Sequence, residues 1–311
     1  MPAVGLVGVG LIGRAWANVF ARAGWQVRVW DADRAVAAKA PELIERSLND
    51  VARHGLAKDA AAAARRVTVA GSLEEAVADT ELVIESGPER IEVKLEVFAK
   101  LDAAARPDAV LASSSSAIVA SRFTEALAGR QRCLVAHPVN PPHVVPIVEL
   151  AGAPWTSPDT IKRARAIFES VGQVPIEVKK EIDGFILNRM QAVLLSEAFR
   201  LVGEGYVSAE DLDKTIRDGL GLRWAFMGPF ETIELNAPGG IPDYCARYGE
   251  TLLKLSSAPV TPDVWGKDNV ARAVDSWGRS PEADAVAGKS RWRDERIAAL
   301  VAHKKAQPKP A

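Results

Sequence analysis

The stretch Ala3-Val4-Gly5-Leu6-Val7-Gly8-Val9-Gly10-Leu11-Ile12-Gly13 decides the fold. A short apolar run ends in glycines spaced Gly-x-Gly-x-x-Gly, and Ala15, Trp16, Val19, Phe20 and Ala23 then recur at helical spacing. That order is strand, tight turn, helix. Gly24 closes the helix, Val27 to Trp30 reads as a second strand, and Asp31 stands at its end, roughly 20 residues past the glycines, where the dinucleotide-binding pattern needs an acid. Gly8 is expected to allow the tight turn, Gly10 to let backbone amides approach a pyrophosphate, and Gly13 to let the helix pack closely. Leu11 and Ile12 complete the cofactor-binding positions of the turn. A carboxylate at Asp31 accepts hydrogen bonds from the ribose hydroxyls of NAD but repels a 2′-phosphate, so NAD is the expected cofactor. Arg34 is either a competing phosphate ligand or a surface arginine at a helix start.

Composition sets the frame. A chain of 311 residues is long for one compact core, and two domains are expected. Hydrophobic residues make up 48% and charged residues 25%, as in soluble globular proteins, while 39 basic against 40 acidic residues leave no field to hold nucleic acid or an anionic membrane. The expected partner is a small, neutral-to-acidic metabolite. Cys133 and Cys245 alone make neither a disulfide framework nor a zinc site, which fits a reducing cytoplasm and no metal. The lysine-free start, its glycines and Arg14 do not read as a signal peptide, and no segment approaches the roughly 18 uncharged residues of a membrane span. A soluble, cytoplasmic protein is expected.

The alternation continues through the first half. Pro41 to Arg66 reads as one long Ala-rich helical segment, Val67 to Ala70 as a strand, Leu73 to Ala78 as a short helix and Leu82 to Ile84 as a strand. Helix Ile91 to Ala105 follows with Val93, Val97 and Leu101 on one face; Val110 to Ala112 is a strand ending in Ser113-Ser-Ser-Ser116, and Cys133 to Ala136 another that delivers His137. This predicts an α/β fold: a Rossmann-type, mostly parallel sheet domain over 1–183, whose ligands sit beyond the strand carboxyl ends, where Gly10, Ser116 and His137 converge. An all-helical domain is expected over 184–311, with helices at Phe185 to Gly203, Ala209 to Gly219 and Pro229 to Leu235, a charged helix near Lys289 to Lys305, and loose ends from Gln307 to Ala311.

Val135-Ala-His137-Pro-Val-Asn140-Pro-Pro-His143, followed by Glu149, places a histidine, an amide and a carboxylate downstream of the dinucleotide start. A lone histidine beside prolines is more often a loop residue than a base. Together with Gly184-Phe-Ile-Leu-Asn188-Arg and Gly228-Pro-Phe-Glu231, however, His137-Pro-Val-Asn140-Pro resembles the signatures of the L-3-hydroxyacyl-CoA dehydrogenase family, in the right order. Gly221-Leu-Arg-Trp-Ala-Phe-Met-Gly228 and Arg291-Trp-Arg-Asp-Glu295 are similar to the branch that contains λ-crystallin and L-gulonate 3-dehydrogenase.

The resemblance implies roles. His137 would take the proton of the substrate's 3-hydroxyl while hydride passes to the nicotinamide, and Glu149 would hydrogen-bond the other imidazole nitrogen. Ser116 and Asn188 would bind the reacting oxygen, Ser116 and Asn140 would lie near the nicotinamide, and Glu89 and Lys94 match cofactor-contacting positions. Family members usually form homodimers, and the amphipathic helices of the second domain fit that habit. Acyl-CoA enzymes carry a lysine-rich segment that contacts CoA phosphates; here the corresponding Val51-Ala-Arg-His-Gly-Leu56 keeps only Arg53. Arg223, before Gly228-Pro, can grip a free carboxylate in a substrate site, or can pair with Glu231 or Glu234. The resemblance therefore implies NAD-dependent oxidation of a small L-3-hydroxy acid, L-gulonate being favoured. L-3-hydroxyacyl-CoA is the alternative substrate, and an NAD-binding, crystallin-like structural role is the alternative of another class.

Overall fold

The computed structural model describes residues 1–256, 261–278 and 283–308. Strand β1 (Ala3–Val7), helix α1 (Leu11–Arg22) and β2 (Gln26–Trp30) fall where the glycine motif predicts them, and the chain continues through α2 (Arg34–Ala52), α3 (Ala60–Ala64), β3 (Val67–Val69), α4 (Leu73–Val77), β4 (Leu82–Glu85), α5 (Ile91–Ala104) and β5 (Val110–Ser113). Then come α6 (Ser121–Thr124), β6 (Cys133–Pro138), β7 (Ile147–Gly152), α7 (Pro158–Ser170) and β8 (Val174–Val178). The strands form one sheet in the order β3-β2-β1-β4-β5-β6-β7-β8, parallel throughout except for the antiparallel pair β6–β7. The order reverses between β1 and β4, which opens a crevice beyond their carboxyl ends, the place where such sheets bind nucleotides.

Alternate residues of each strand feed two cores. One face packs Leu6, Val27, Ile84 and Leu134 against Trp16 and Phe20 of α1 and Phe168 of α7. The other packs Val7, Val83, Leu111 and Val135 against Phe98 of α5, Phe123 and Phe185. This two-sided burial is why β1 and β4 read as continuous apolar runs.

The structure departs from the pattern reading in four places. The segment Pro41 to Arg66 is not one helix: α2 begins earlier, where the Asp33 carboxylate caps the amides of Ala35 and Val36, and it stops before Gly55, which has φ +71°, leaving α3 to be started by the Asp59 cap. In α5 the fully buried stripe is Lys94, Phe98 and Leu101, with Val93 and Val97 only half-buried beside it. Between Ala136 and Ile182, where the pattern reading places no element, lie β7, α7 and β8. Helices α12 (Gly240–Ser256) and α13 (Lys267–Trp277) are likewise additional to those read from sequence.

By its internal contacts the chain forms two units, residues 1–188 with 288–311, and residues 189–287. Helix α8 (Leu187–Gly203) opens the second, which continues through α9 (Ala209–Lys214), a π-helical stretch Thr215–Leu220, α10 (Gly221–Trp224) and α11 (Pro229–Glu234) to α12 and α13. Its described elements are all helical. The charged helix α14 (Ala283–Ala306) has most of its length grouped with the sheet unit, where Ala298 is buried. Of the ends expected to be loose, Gln307 and Pro308 lie beyond α14, and residues 309–311 fall outside the described residues.

Candidate active site

Register places the site. Val7, Glu85, Ser113 and Val135 stand side by side on β1, β4, β5 and β6, so Gly8 to Gly13, Ser86 to Glu89 and Ser114 to Ser116 leave the sheet at one edge, where His137 lies near the end of β6.

At the glycine turn, Gly8 has φ +90°, and a Cβ there would stand 2.8 Å from the backbone of Ser86. A Cβ on Gly13 would collide with the carbonyl oxygen of Gly8, whereas one on Gly10 would meet nothing within 4 Å. Gly8 and Gly13 are thus demanded by the protein's own backbone, and Gly10 leaves the approach to α1 open. No side chain caps α1, so the amides of Leu11, Ile12 and Gly13 have no acceptor within the helix and face the open side. Asp31 accepts from the amides of Val9 (2.8 Å) and Asp33 (2.9 Å), which holds its carboxylate against the turn with acceptor capacity to spare for hydroxyls. Arg34 donates to the carbonyl of Gly71 at 2.6 Å. These features fit a dinucleotide with free ribose hydroxyls.

His137 and Glu149 are cross-strand neighbours on the antiparallel pair β6–β7. His137 Nδ1 lies 2.8 Å from Glu149 Oε2, with the two side chains 5% and 0% exposed. The other carboxylate oxygen, Oε1, accepts from the amides of Ile186 (2.9 Å) and Leu187 (3.0 Å). Burial opposes the charge of Glu149, but the His137 hydrogen bond and the two amides outweigh it and hold the carboxyl below its ordinary pKa. The amides are aimed by an unusual backbone: Gly184 and Phe185 both have positive φ, +75° and +50°, and Phe185 is fully buried with its ring centroid 5.3 Å from that of His137. Phe185, Ile186 and Leu187 are site residues that sequence reasoning did not single out. The signal was present in the Gly184-Phe pair, which reads only as a helix start until the positive φ values are seen.

The serine loop is held by one atom. Glu89 Oε1 accepts from the Ser115 hydroxyl (2.5 Å) and from the amides of Ser116 (3.1 Å), Ala117 (2.9 Å) and Ile118 (3.2 Å). Burial raises the pKa of Glu89, but these donors and Lys94 prevail and keep it lowered. Lys94 is 1% exposed, with Nζ 3.0 Å from Glu85 Oε2, 3.2 Å from Ser113 Oγ and 3.6 Å from Glu89 Oε2. These contacts join Glu89 and its loop to the ends of β4 and β5. Asn188 Nδ2 donates to the Ser116 carbonyl at 2.9 Å, which ties Ser116 to the segment that supplies the amides on Glu149. Asn140 is exposed three residues beyond His137. Arg223 belongs to the second unit, in α10, and is exposed; neither Glu231 nor Glu234 forms an ion pair with it.

The chain that carries this imidazole–carboxylate pair and this glycine turn matches two family models. The NAD-binding domain of 3-hydroxyacyl-CoA dehydrogenase covers residues 3–182, and the C-terminal domain of the same enzymes covers residues 184–274. This chain belongs to the 3-hydroxyacyl-CoA dehydrogenase family. It is 41% identical over 302 residues to the lambda-crystallin homolog of Mus musculus, covering 94% of both chains, and 34% identical to an L-carnitine dehydrogenase of Pseudomonas, covering 95% of this chain and 91% of that one. Among solved structures it resembles 5-formyl-3-hydroxy-2-methylpyridine 4-carboxylic acid 5-dehydrogenase, an NAD+-dependent dismutase, with a TM-score of 0.85 and 27% identity over 99% of this chain and 100% of that one. The family member described here is an NAD-dependent oxidoreductase acting on a small molecule. Among its described residues no helix is long and apolar enough to cross a membrane.

Proposed function

We propose that the protein oxidises the 3-hydroxyl of a small, free L-3-hydroxy acid to the 3-keto acid, with L-gulonate as the favoured substrate. The observation that carries the reading is the way Glu149 spends its two oxygens. With Oε1 taken by two amides and Oε2 facing Nδ1, the ionised acid can only accept there, so Nδ1 carries the proton and Nε2 is left with its lone pair. Nε2 is then the base for the substrate hydroxyl, and Glu149 stabilises the imidazolium that forms. Bound NAD would supply the hydride acceptor for the carbon that bears this hydroxyl. Ser116, whose loop Glu89 fixes, orients the reacting oxygen together with Asn188.

Two features favour a free acid over a CoA thioester. Arg53, the remaining cation of the stretch that is lysine-rich in acyl-CoA enzymes, is paired with Asp50. Arg223 has no carboxylate partner among the described residues and is available to grip a substrate carboxylate in two parallel hydrogen bonds. Relatives named L-carnitine dehydrogenase, whose substrate is itself a free 3-hydroxy acid, agree with this. A charge-assisted pair of this kind contributes about 1.5–3 kcal/mol, so Arg223→Met is expected to raise KM for the free acid by roughly 10- to 100-fold with kcat changed far less. An unchanged KM for every free hydroxy acid would remove Arg223 from the substrate site.

A homodimer is part of the same proposal. None of the 17 residues of α8 is buried, and Met190, Val193, Phe230 and Leu255 are 63–72% exposed, more apolar surface than a small helical unit leaves to water. Sedimentation equilibrium at micromolar concentration is expected to give twice the mass of one chain; a monomer would contradict this.

A further inference from the structure

On the β4–β5 side of the crevice, one buried ammonium stands between two carboxylates. Glu85 ends β4 and Lys94 lies in α5, each side chain 1% exposed, with Lys94 Nζ 3.0 Å from Glu85 Oε2. Glu85 is held by further donors: the Gly87 amide reaches Oε1 at 2.6 Å and the Ser113 hydroxyl reaches Oε2 at 2.6 Å. That buried pair balances its own charge. Glu89 then adds a second carboxylate, whose Oε2 lies 3.6 Å from Lys94 Nζ and whose side chain is 40% exposed. Its Oε1 is occupied by the serine loop. Arg90, next in the chain, is exposed and pairs with Glu92. Two carboxylates against one ammonium leave an excess of one negative charge, and its exposed end is Glu89.

A Rossmann sheet takes one nucleotide on each half, and Asp31 marks the adenosine half, so the nicotinamide belongs to the half that begins at β4. In the oxidation the alcohol carbon gives up hydride and its hydroxyl a proton, and the nicotinamide ring passes from one positive charge to none. The phosphates, riboses and adenine are unchanged. We propose that the Glu85–Lys94–Glu89 cluster, through its excess negative charge, strengthens binding of the oxidised cofactor relative to the reduced one. The cluster attracts the cationic ring and not the neutral one, whereas the glycine turn and Asp31 treat both alike. The protein then loads NAD+ and releases NADH more readily than its shared contacts alone would allow. The inference rests on NAD as the cofactor and is independent of which hydroxy acid is oxidised.

The test is a ratio measured on the full-length protein, Kd for NAD+ over Kd for NADH, from fluorescence titration with NADH and its displacement by NAD+. Damage to the shape of the site weakens both and leaves the ratio; loss of charge moves it. Glu89→Gln keeps an oxygen for its four donors and removes one negative charge, so the ratio is expected to rise about three- to tenfold. Glu89→Asp keeps the charge on a shorter side chain, and its ratio is expected within about twofold of wild type even where both affinities fall. Glu85→Gln is expected to raise the ratio as Glu89→Gln does. If that variant does not fold, Glu85→Gln/Lys94→Met removes the buried pair together and is expected to keep the wild-type ratio. An unchanged ratio in Glu89→Gln, or an equal rise in Glu89→Asp, would overturn the proposal. So would an unchanged ratio in folded Glu85→Gln, or a raised one in the double variant, since the cluster's net charge would then not be what the cofactor senses.

Discussion

His137→Ala is expected to cut kcat by about 10²- to 10⁴-fold while NAD binds with an affinity within a few-fold of wild type. The two effects separate because His137 stands at the end of β6, whereas the groups built for the dinucleotide lie on β1, α1 and β2. Truncation leaves Glu149 ionised beside a small void, but Oε1 keeps both amide donors, so the fold is expected to survive. Single-turnover rates and NAD fluorescence titration on the same preparation measure both quantities. A variant that keeps more than a tenth of the wild-type chemical rate would show that another group takes the proton.

Glu149→Gln is expected to be nearly as damaging, for a reason specific to this site. The amides of Ile186 and Leu187 point at one carboxyl oxygen, and in a glutamine only the amide oxygen can satisfy them. The NH₂ group must then face His137 Nδ1, which becomes an acceptor and forces the proton onto Nε2. The ring is intact but holds the wrong tautomer and cannot act as a base. A fall in kcat of about 10²- to 10⁴-fold is expected, with ring-nitrogen NMR showing protonation moved from Nδ1 to Nε2. A wild-type tautomer in a dead variant would contradict this account. The pH dependence of stability follows from the depressed carboxyl. The ionised form stabilises the fold fully above the unfolded pKa, about 4.3, and that contribution is lost as pH falls through the lower folded value. Wild type and Glu149→Gln should therefore differ in melting temperature at neutral pH and converge on acidification below about pH 4.

The glycine turn, the helix behind it and Asp31 were legible in sequence because each obeys a local rule: a period, a steric demand, a spacing. His137, Asn188 and Glu149 were legible only through motifs shared with the family. Glu149 sits in the middle of Ile147-Val-Glu-Leu-Ala-Gly152, a strand that periodicity does not register because it is apolar on both sides of one buried acid. What makes that acid tolerable is a partner across an antiparallel ladder and two amides from a segment 37 and 38 residues away, none of which is a local property. The role of Glu89 was hidden for the same reason, since its four donors come from a loop that only the sheet brings near. The burial of Lys94, a cofactor-contacting position by family resemblance, was not legible, because it follows from a helical stripe that periodicity centres on the apolar Val93 and Val97.

A crystallin-like role without catalysis would not require the oriented histidine–glutamate pair, and here that pair is intact. The most direct test is to measure kcat/KM side by side, with NAD, for L-gulonate, L-3-hydroxybutyrate and L-3-hydroxybutyryl-CoA. The account predicts that a free acid is oxidised with the highest kcat/KM. A clear preference for the CoA thioester, or no NAD reduction with any of the three by protein that binds NAD, would contradict it.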